Sequence, residues 1–360
     1  MTTTLSERVS QSAFDGSMLR VVFLCDLHEG TQQQFFDAYE QMRHQVATVP
    51  GHISDQLCQS FENPSQWLIT SEWESAPHYF AWVNSDEHIE QVRPLSVCMR
   101  SNKALKYTVL RETGRPSDKR LQAAPRLGSG VVRHALTFTV KPGSEPKVAA
   151  LLADYASPAA RVDAQTRLAR TTLFMHGNRV VRTVEIEGDL MAALRHVAKQ
   201  PEVRAVEEAI NPYLVQDRDL DDPESARMFF MRAALPAVHH IAATEADEPD
   251  VRRHAVYYPA KPGCGTAVAK FLARQDEQAA QDPASPVRSS TLFQRDDLVV
   301  RLLDVRGPLD ADPDLAFGVR GRRKAAVLAR LLAVPAASAA RLLDQQTMTL
   351  VTDRRAPAEH

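Results

Sequence analysis

The sequence predicts an α+β protein made of three ferredoxin-like βαββαβ units whose sheets pack face to face around barrel-like interiors. The first observation behind this is an internal repeat. HALTFTVKPG from His134 matches HAVYYPAKPG from His254 at an offset of 120, and TLFMHGNRVVR at 172–182 matches TLFQRDDLVVR at 291–301 at an offset of 119. EIEGDL at 185–190 and DVRGPL at 304–309 keep the second offset, so one deletion separates the blocks. The second observation is that the chain before the repeat follows the same order of elements without sharing its sequence. The third is an early strand with apolar residues on both faces, Val21, Phe23, Cys25 and Leu27 backed by Val22 and Leu24, so each face of its sheet needs cover.

The elements follow from periodicity and punctuation. RVVFLCDLH at 20–28 is a strand, and Thr31 opens a helix with Phe35, Tyr39, Met42 and Val46 on its buried stripe. Pro50-Gly51 stops that helix, and HISDQLCQSF and QWLITSEWE form a hairpin around Glu62-Asn63-Pro64-Ser65. APHYFAWVNSDEHIEQV is a second helix and ALKYTVLRE at 104–112 a last strand. In the first repeat His134, Leu136, Phe138 and Val140 alternate with smaller residues as a strand. KPG then turns the chain into a helix carrying Val148, Leu151, Leu152 and Tyr155. TRLARTTLF and RVVRTVEIE are strands joined through Gly177-Asn178, Asp189 caps the next helix, and PYLVQ is the expected final strand. Aligning PYLVQDR, ending at Arg218, with TMTLVTDR, ending at Arg354, requires about fifteen extra residues in the second copy, assigned to DADPDLAFGVRGRR.

The expected units are therefore 17–112, 131–218 and 253–354. The Pro-, Gly- and charge-rich segment 111–130 joins the first two. A linker at 219–252 has acidic ends and an apolar middle, ARMFFMRAALPAVHHI, read as a docking element in preference to a lid over a greasy ligand. The two repeats are expected to pair with each other, leaving the first unit to pair with a second subunit in a homodimer.

Composition narrows the partners. With 43 basic against 45 acidic side chains and a net charge of -2, no global field holds nucleic acid or an anionic membrane. Four scattered cysteines without a CxxC pair fit a reducing compartment, and the chain has neither a signal-peptide pattern nor an 18-residue apolar run, so a cytoplasmic protein is expected. GxGxxG after a strand, GxxxxGK[ST], HExxH and GxSxG are all absent, so no motif-bound cofactor or metal is expected. His239-His240 lacks a spaced carboxylate for metal binding, and GVRGRRK at 318–324 is read as a solvated basic loop, with contact to an acidic acyl carrier protein as its functional alternative. His134 with His254, and Arg182 with Arg301, repeat at equivalent positions; shared scaffold is preferred to two active units.

The candidate site lies at 62–88, because all three tryptophans, Trp67, Trp73 and Trp82, fall within sixteen residues. Trp67 and Trp73 share strand parity, while His78 and Trp82 stand at i, i+4 on the next helix. Core packing competes on even terms for Trp73 and Trp82; Trp67 sits beside the hairpin carrying Asn63, where two N–H donors can hold a polarised oxygen.

SEWES, an Ala- and aromatic-rich helix and NSDEH resemble the antibiotic biosynthesis monooxygenase domain, a dimeric α+β barrel, over about 17–112, and Asn63-Pro-Ser-Gln-Trp67 resembles the Asn and Trp of its anthrone-oxidising members. The repeats, with KPG, TLF and VVR…EGDL, resemble SchA/CurD-like domains of aromatic polyketide pathways. The resemblance implies a cofactor-independent monooxygenase, with molecular oxygen as co-substrate, taking an anthrone or phenol of a polycyclic aromatic polyketide to a quinone. It assigns Asn63 and Trp67 to the substrate oxygen, Trp73, Trp82, Tyr79 and Phe23 to substrate contact, and His52, His78 or His88 to proton transfer. The alternatives are an aromatic polyketide cyclase on the same fold and a non-catalytic polyketide-binding component of the synthase.

Overall fold

The computed structural model describes residues 9–14, 17–110, 130–216, 218–219, 222–242, 250–282, 284–335 and 337–356. They divide between two compact units, one built around 17–110 and one around 130–356. The joining segment expected at 111–130 lies outside the described residues except for Gly130, as does the acidic stretch 245–249.

Strand β1 (Val9–Ser12) belongs to the sheet of the second unit. The first unit runs β2 (Leu19–Leu27), α1 (Gln32–Val46), β3 (His52–Gln59), β4 (Gln66–Trp73), α2 (Ala76–Val83), α3 (Asp86–Ser96) and β5 (Met99–Thr108). Its antiparallel sheet has the order β3-β4-β2-β5, the ferredoxin-like arrangement. Phe35, Tyr39, Met42 and Val46 of α1 are buried against Val21, Cys25, Trp67 and Trp73, as the spacing predicts. The second helix is two: Asn84 ends α2, and Ser85 caps α3 by accepting a hydrogen bond from the His88 amide at 3.1 Å.

The second unit continues with β6 (Val131–Thr139), α4 (Glu145–Asp154), β7 (Arg167–His176), β8 (Arg179–Glu187), α5 (Leu190–Ala198), α6 (Pro201–Ile210), α7 (Pro223–Ala233) and β9 (Ala234–Ala242). The second repeat supplies β10 (Val251–Pro259), α8 (Gly265–Ala279), β11 (Val287–Arg295), β12 (Leu298–Arg306), α9 (Pro313–Ala316), α10 (Arg322–Leu331), α11 (Ala339–Gln346) and β13 (Thr349–Arg355). The two repeats share one sheet of order β10-β12-β11-β9-β6-β8-β7-β13, with β1 attached to β9. The sheet closes on itself, because Met348 N donates to Ala255 O at 2.8 Å and Val256 bridges Thr347. Pairing between the repeats is thus as expected, and its device is an exchange of fourth strands. β9 spans from β6 of its own repeat to β11 of the other, and β13 spans from the end of β10 to β7.

That exchange corrects the expected final strand. PYLVQ forms a 3-10 turn at Asn211–Tyr213 and a single bridge from Leu214 to Val140, while the fourth strand of the first repeat is β9, inside the segment read as a linker. Leu214 has its counterpart in Leu332, which bridges Ala260 in the same way, and Lys141 and Lys261 bond Pro212 O and Arg330 O equivalently. Glu185 to Leu214 and Asp304 to Leu332 are 29 and 28 residues, so the second copy has no insertion there. The apolar ARMFFMRAALPAVHHI, read as a docking element of a linker, forms most of α7 and of β9.

On the helix-covered outer face, Arg182 donates to Glu207 of α6 at 2.8 Å, and Arg301, 1% exposed, pairs with Asp276 of α8 and donates to Ala316 O at 2.7 Å. These repeated arginines pin helices to the sheet. Of GVRGRRK, Arg320 pairs with Asp312 at 2.8 Å and Lys324 donates to Gln278 at 2.7 Å. No helix among the described residues is long and apolar enough to cross a membrane, and those residues hold no cluster of three metal-ligating side chains.

Candidate active site

The first unit gathers His52, Trp73, Tyr79, Trp82 and His88 at one end of β4. Trp73, the last residue of that strand, lies opposite His52 of β3 and Leu19 of β2. Its indole N–H donates to Ser71 Oγ at 3.0 Å, which fixes the ring, and the residue is 0% exposed. His52 stacks edge-on against it at 5.1 Å, and Trp82 of α2 stacks on it at 5.2 Å with 27° between planes. His88 of α3 closes the row, 4.1 Å from Trp82. Tyr79, one helical turn before Trp82, meets Trp73 edge-on at 5.5 Å. The row therefore reads His52, Trp73, Trp82, His88, from four successive elements.

Local chemistry holds this row. Ser85 Oγ donates to Trp82 O at 2.7 Å while accepting from the His88 amide, so one serine sets both residues at the elbow between α2 and α3. Ser75 Oγ and His78 Nδ1 are 3.0 Å apart, and Gly51 packs against the His78 ring. Gly51 has φ +83°, and a Cβ there would collide with His78 Cγ, so glycine serves both the turn and the close approach.

Burial keeps both imidazoles of the row neutral. It pushes His88 down to about 4 and lowers His52, which Asp55 partly offsets. Asp55 Oδ1 lies 3.5 Å from His52 Nε2, and its other oxygen accepts a hydrogen bond from Tyr39. Burial and this carboxylate together push the Tyr39 phenol strongly upward, and burial alone raises Tyr79 to about 12. Asp55 faces Nε2, which has no hydrogen-bond partner among the described residues, and its carboxylate stabilises an imidazolium formed there by proton uptake. His88 Nδ1, Asn84 Nδ2 and Gln91 Oε1 are buried at the elbow with no hydrogen-bond partner among the described residues.

Sequence reasoning named Trp73, Trp82, Tyr79, His52 and His88 and missed Tyr39, Asp55, Asn84 and Gln91. In a regular strand His52 and Asp55 would face opposite ways. A register shift between His52 and Ser54 inserts one residue, so both face Trp73 and Ser71. Other named residues lie elsewhere. Trp67 is at the opposite end of β4, about 20 Å from Trp73 at the strand's rise per residue, packed edge-on against Phe35 at 5.6 Å. Its indole N–H donates to Pro64 O at 3.0 Å, and Asn63 is exposed in the turn, its Oδ1 accepting from the Ser65 amide at 3.1 Å. The expected pair of free donors is therefore not present in this conformation. Phe23 sits mid-strand on the helix-covered face, partly buried between the two ends.

A SchA/CurD like domain matches residues 131–243. Over 365 residues the sequence is 63% identical to Polyketide synthase CurD of Streptomyces cyaneus, covering 98% of this chain and 99% of that protein. The chain belongs to the SchA/CurD family. Two further relatives are Protein SchA of Streptomyces halstedii, 53% identical over 99% of this chain and 98% of that one, and the 42.8 kDa protein in whiE locus of Streptomyces coelicolor, 58% identical over 96% and 90%. Residues 18–93 match the antibiotic biosynthesis monooxygenase family, and the row from His52 to His88 falls inside that stretch of this SchA/CurD chain. Among solved structures, SnoaB, a cofactor-independent oxygenase from Streptomyces nogalater, is 12% identical, covers 28% of this chain and 98% of its own, and has a TM-score of 0.25.

Proposed function

We propose that this SchA/CurD protein acts in aromatic polyketide biosynthesis and that its first unit is a cofactor-independent monooxygenase, oxidising an anthrone- or phenol-type intermediate to a quinone. The observation that carries the reading is the row of stacked Trp73 and Trp82 flanked by two buried, neutral imidazoles, His52 and His88. Flat indoles match a flat polycyclic substrate, and a neutral imidazole is the proton acceptor that such a substrate needs. The match of this stretch to the antibiotic biosynthesis monooxygenase family supports the oxygenase reading, and the name of the relative Polyketide synthase CurD supports the polyketide context.

The chemistry balances without a resident metal or flavin. His52, steadied by Asp55, takes a proton from the anthrone methylene, whose acidity comes from its conjugated carbonyl. The resulting anion gives one electron to O2, the radical pair combines to a carbon-bound hydroperoxide, and loss of water leaves the quinone carbonyl: CH2 and O2 become C=O and H2O. Asn84, Gln91 and His88 at the elbow are proposed to hold the substrate oxygens, in place of Asn63 and Trp67, while Trp82 supplies the ring contact with Trp73 behind it. The protein's part is positioning and electrostatic stabilisation of the anion.

The test is a variant series in the full chain, freed of metals and given 1,8-dihydroxyanthrone, with O2 uptake and quinone absorbance followed together. His52→Gln is expected to lower turnover by about a hundredfold or more. Asn63→Ala is expected to leave it within about threefold. The reverse ranking moves the site to the hairpin. Consumption of a poly-β-ketone without O2 uptake identifies a cyclase instead.

A further inference from the structure

The interior of the closed sheet in the second unit carries a polar layer that the reading above does not use. Inward-facing residues of the two repeats correspond at offsets of 120 and 119: Arg133 with Arg253, Glu185 with Asp304, Thr172 with Thr291, and Arg170 with Ser289. The rows interlock across the interior, because Arg253 pairs with Glu185 at 2.6 Å and with Asp304 at 2.7 Å, and Arg170 lies 3.7 Å from Asp304. On the exchanged strands, Asp353 of β13 faces Thr172 and His240 of β9 faces Thr291, so His240 and Asp353 occupy equivalent positions.

The equivalence breaks at one point. Asp353 is satisfied twice over, by Arg170 Nε at 2.7 Å and by the Thr172 hydroxyl at 3.1 Å. His240 keeps the threonine, with Nδ1 2.9 Å from Thr291 Oγ1, but the residue in the place of Arg170 is Ser289, whose short hydroxyl turns to Asp304 at 2.8 Å. His240 is 4% exposed, and its Nε2 is buried with no hydrogen-bond partner among the described residues. Assigning the Thr291 hydroxyl as donor to Nδ1, as Thr172 donates to Asp353, puts the proton of the neutral ring on Nε2. Burial foremost, then Arg133, His239 and Arg253 against the opposing Asp304, hold the ring neutral. A neutral ring N–H donor among guanidinium groups is suited to an oxygen anion.

We propose that this polar layer is a second ligand site, in which His240 Nε2–H binds the anionic oxygen of an enolate, phenolate or carboxylate admitted where Ser289 replaces the arginine of the other half. The site is independent of the row in the first unit.

The experiment uses the full chain with 15N-labelled histidine and follows the His240 side-chain resonances at about pH 7. Benzoate, acetylacetone and 1,3-dihydroxynaphthalene are added separately, so that the responding probe distinguishes carboxylate, enolate and phenolate. The free ring is expected in the Nε2–H form, and at least one probe shifts that nitrogen saturably. His240→Leu is expected to weaken its binding about tenfold or more, and His240→Gln, which keeps an N–H at that reach, by about threefold at most. Trp82→Ala leaves the His240 shift in place. Ser289→Arg, which restores the arginine of the other half, abolishes it, and should that variant not fold, the histidine series decides. A ring protonated on Nδ1, no shift with any probe, or equal binding by His240→Leu and the wild type overturns the proposal.

Discussion

Removing the carboxylate of Asp276 isolates the contribution of the scaffold. Arg301 is 1% exposed, and its guanidinium meets Asp276, Ser290 Oγ at 3.2 Å, Ala316 O at 2.7 Å and the Tyr258 hydroxyl. Asp276→Ala leaves only neutral partners and no counter-charge for a cation cut off from water. Removing one partner of a buried pair costs about 3–5 kcal/mol, against roughly 5–15 kcal/mol for the whole stability of a domain. Asp276→Asn keeps a hydrogen-bonding oxygen and loses about 1–3 kcal/mol. The double variant Asp276→Leu/Arg301→Met, which removes both charges and fills the volume, returns to within about 2 kcal/mol of the parent or exceeds it. Urea unfolding followed by far-UV circular dichroism is the assay, because all three tryptophans lie in the first unit and do not report on this one. A cost below about 1 kcal/mol for Asp276→Ala refutes the pinning argument.

Three further outcomes follow from the first unit. Since burial holds His88 at about 4, against 6.5 in the unfolded chain, the unfolded state binds the extra proton between those values, and stability falls as pH drops through that window by at most about 3 kcal/mol; His88→Gln flattens that slope in pH-dependent urea melts. Gly51→Ala, strained by φ +83° and by collision with His78, lowers the melting temperature clearly more than Gly30→Ala, where φ is +80° but the space is open. Trp82→Ala loses the stacks with Trp73 and His88, costs roughly 1–3 kcal/mol, and cuts anthrone-dependent O2 uptake more than about tenfold while the fold is retained by circular dichroism; undiminished turnover removes Trp82 from substrate contact.

The fold was legible where periodicity and repetition were strong. The offsets near 120 located equivalent strands, and these two repeats share one sheet. The fourth strand of the first repeat was not legible, because it pairs for only three residues with its own repeat and otherwise with the other one. Its sequence, ALPAVHHIA, carries a proline and has no counterpart in TLVTDRR, since the shared feature is a position in a closed sheet. In the candidate site, the tryptophan cluster pointed to β4 and α2, where the stacked row lies. Strand parity placed Trp67 and Trp73 on one face but is silent on the length of strand between them, which separates Asn63 and Trp67 from the histidines. Asp55 was hidden by the register shift after His52, which alternation cannot anticipate.

Oxygen uptake by the wild-type, metal-stripped chain with 1,8-dihydroxyanthrone decides whether the first unit is an oxygenase. Saturable consumption of one O2 for each quinone formed, faster than the buffer reaction and undiminished by chelator, is the predicted result. A rate equal to that of buffer across anthrone and phenol substrates contradicts the oxygenase assignment.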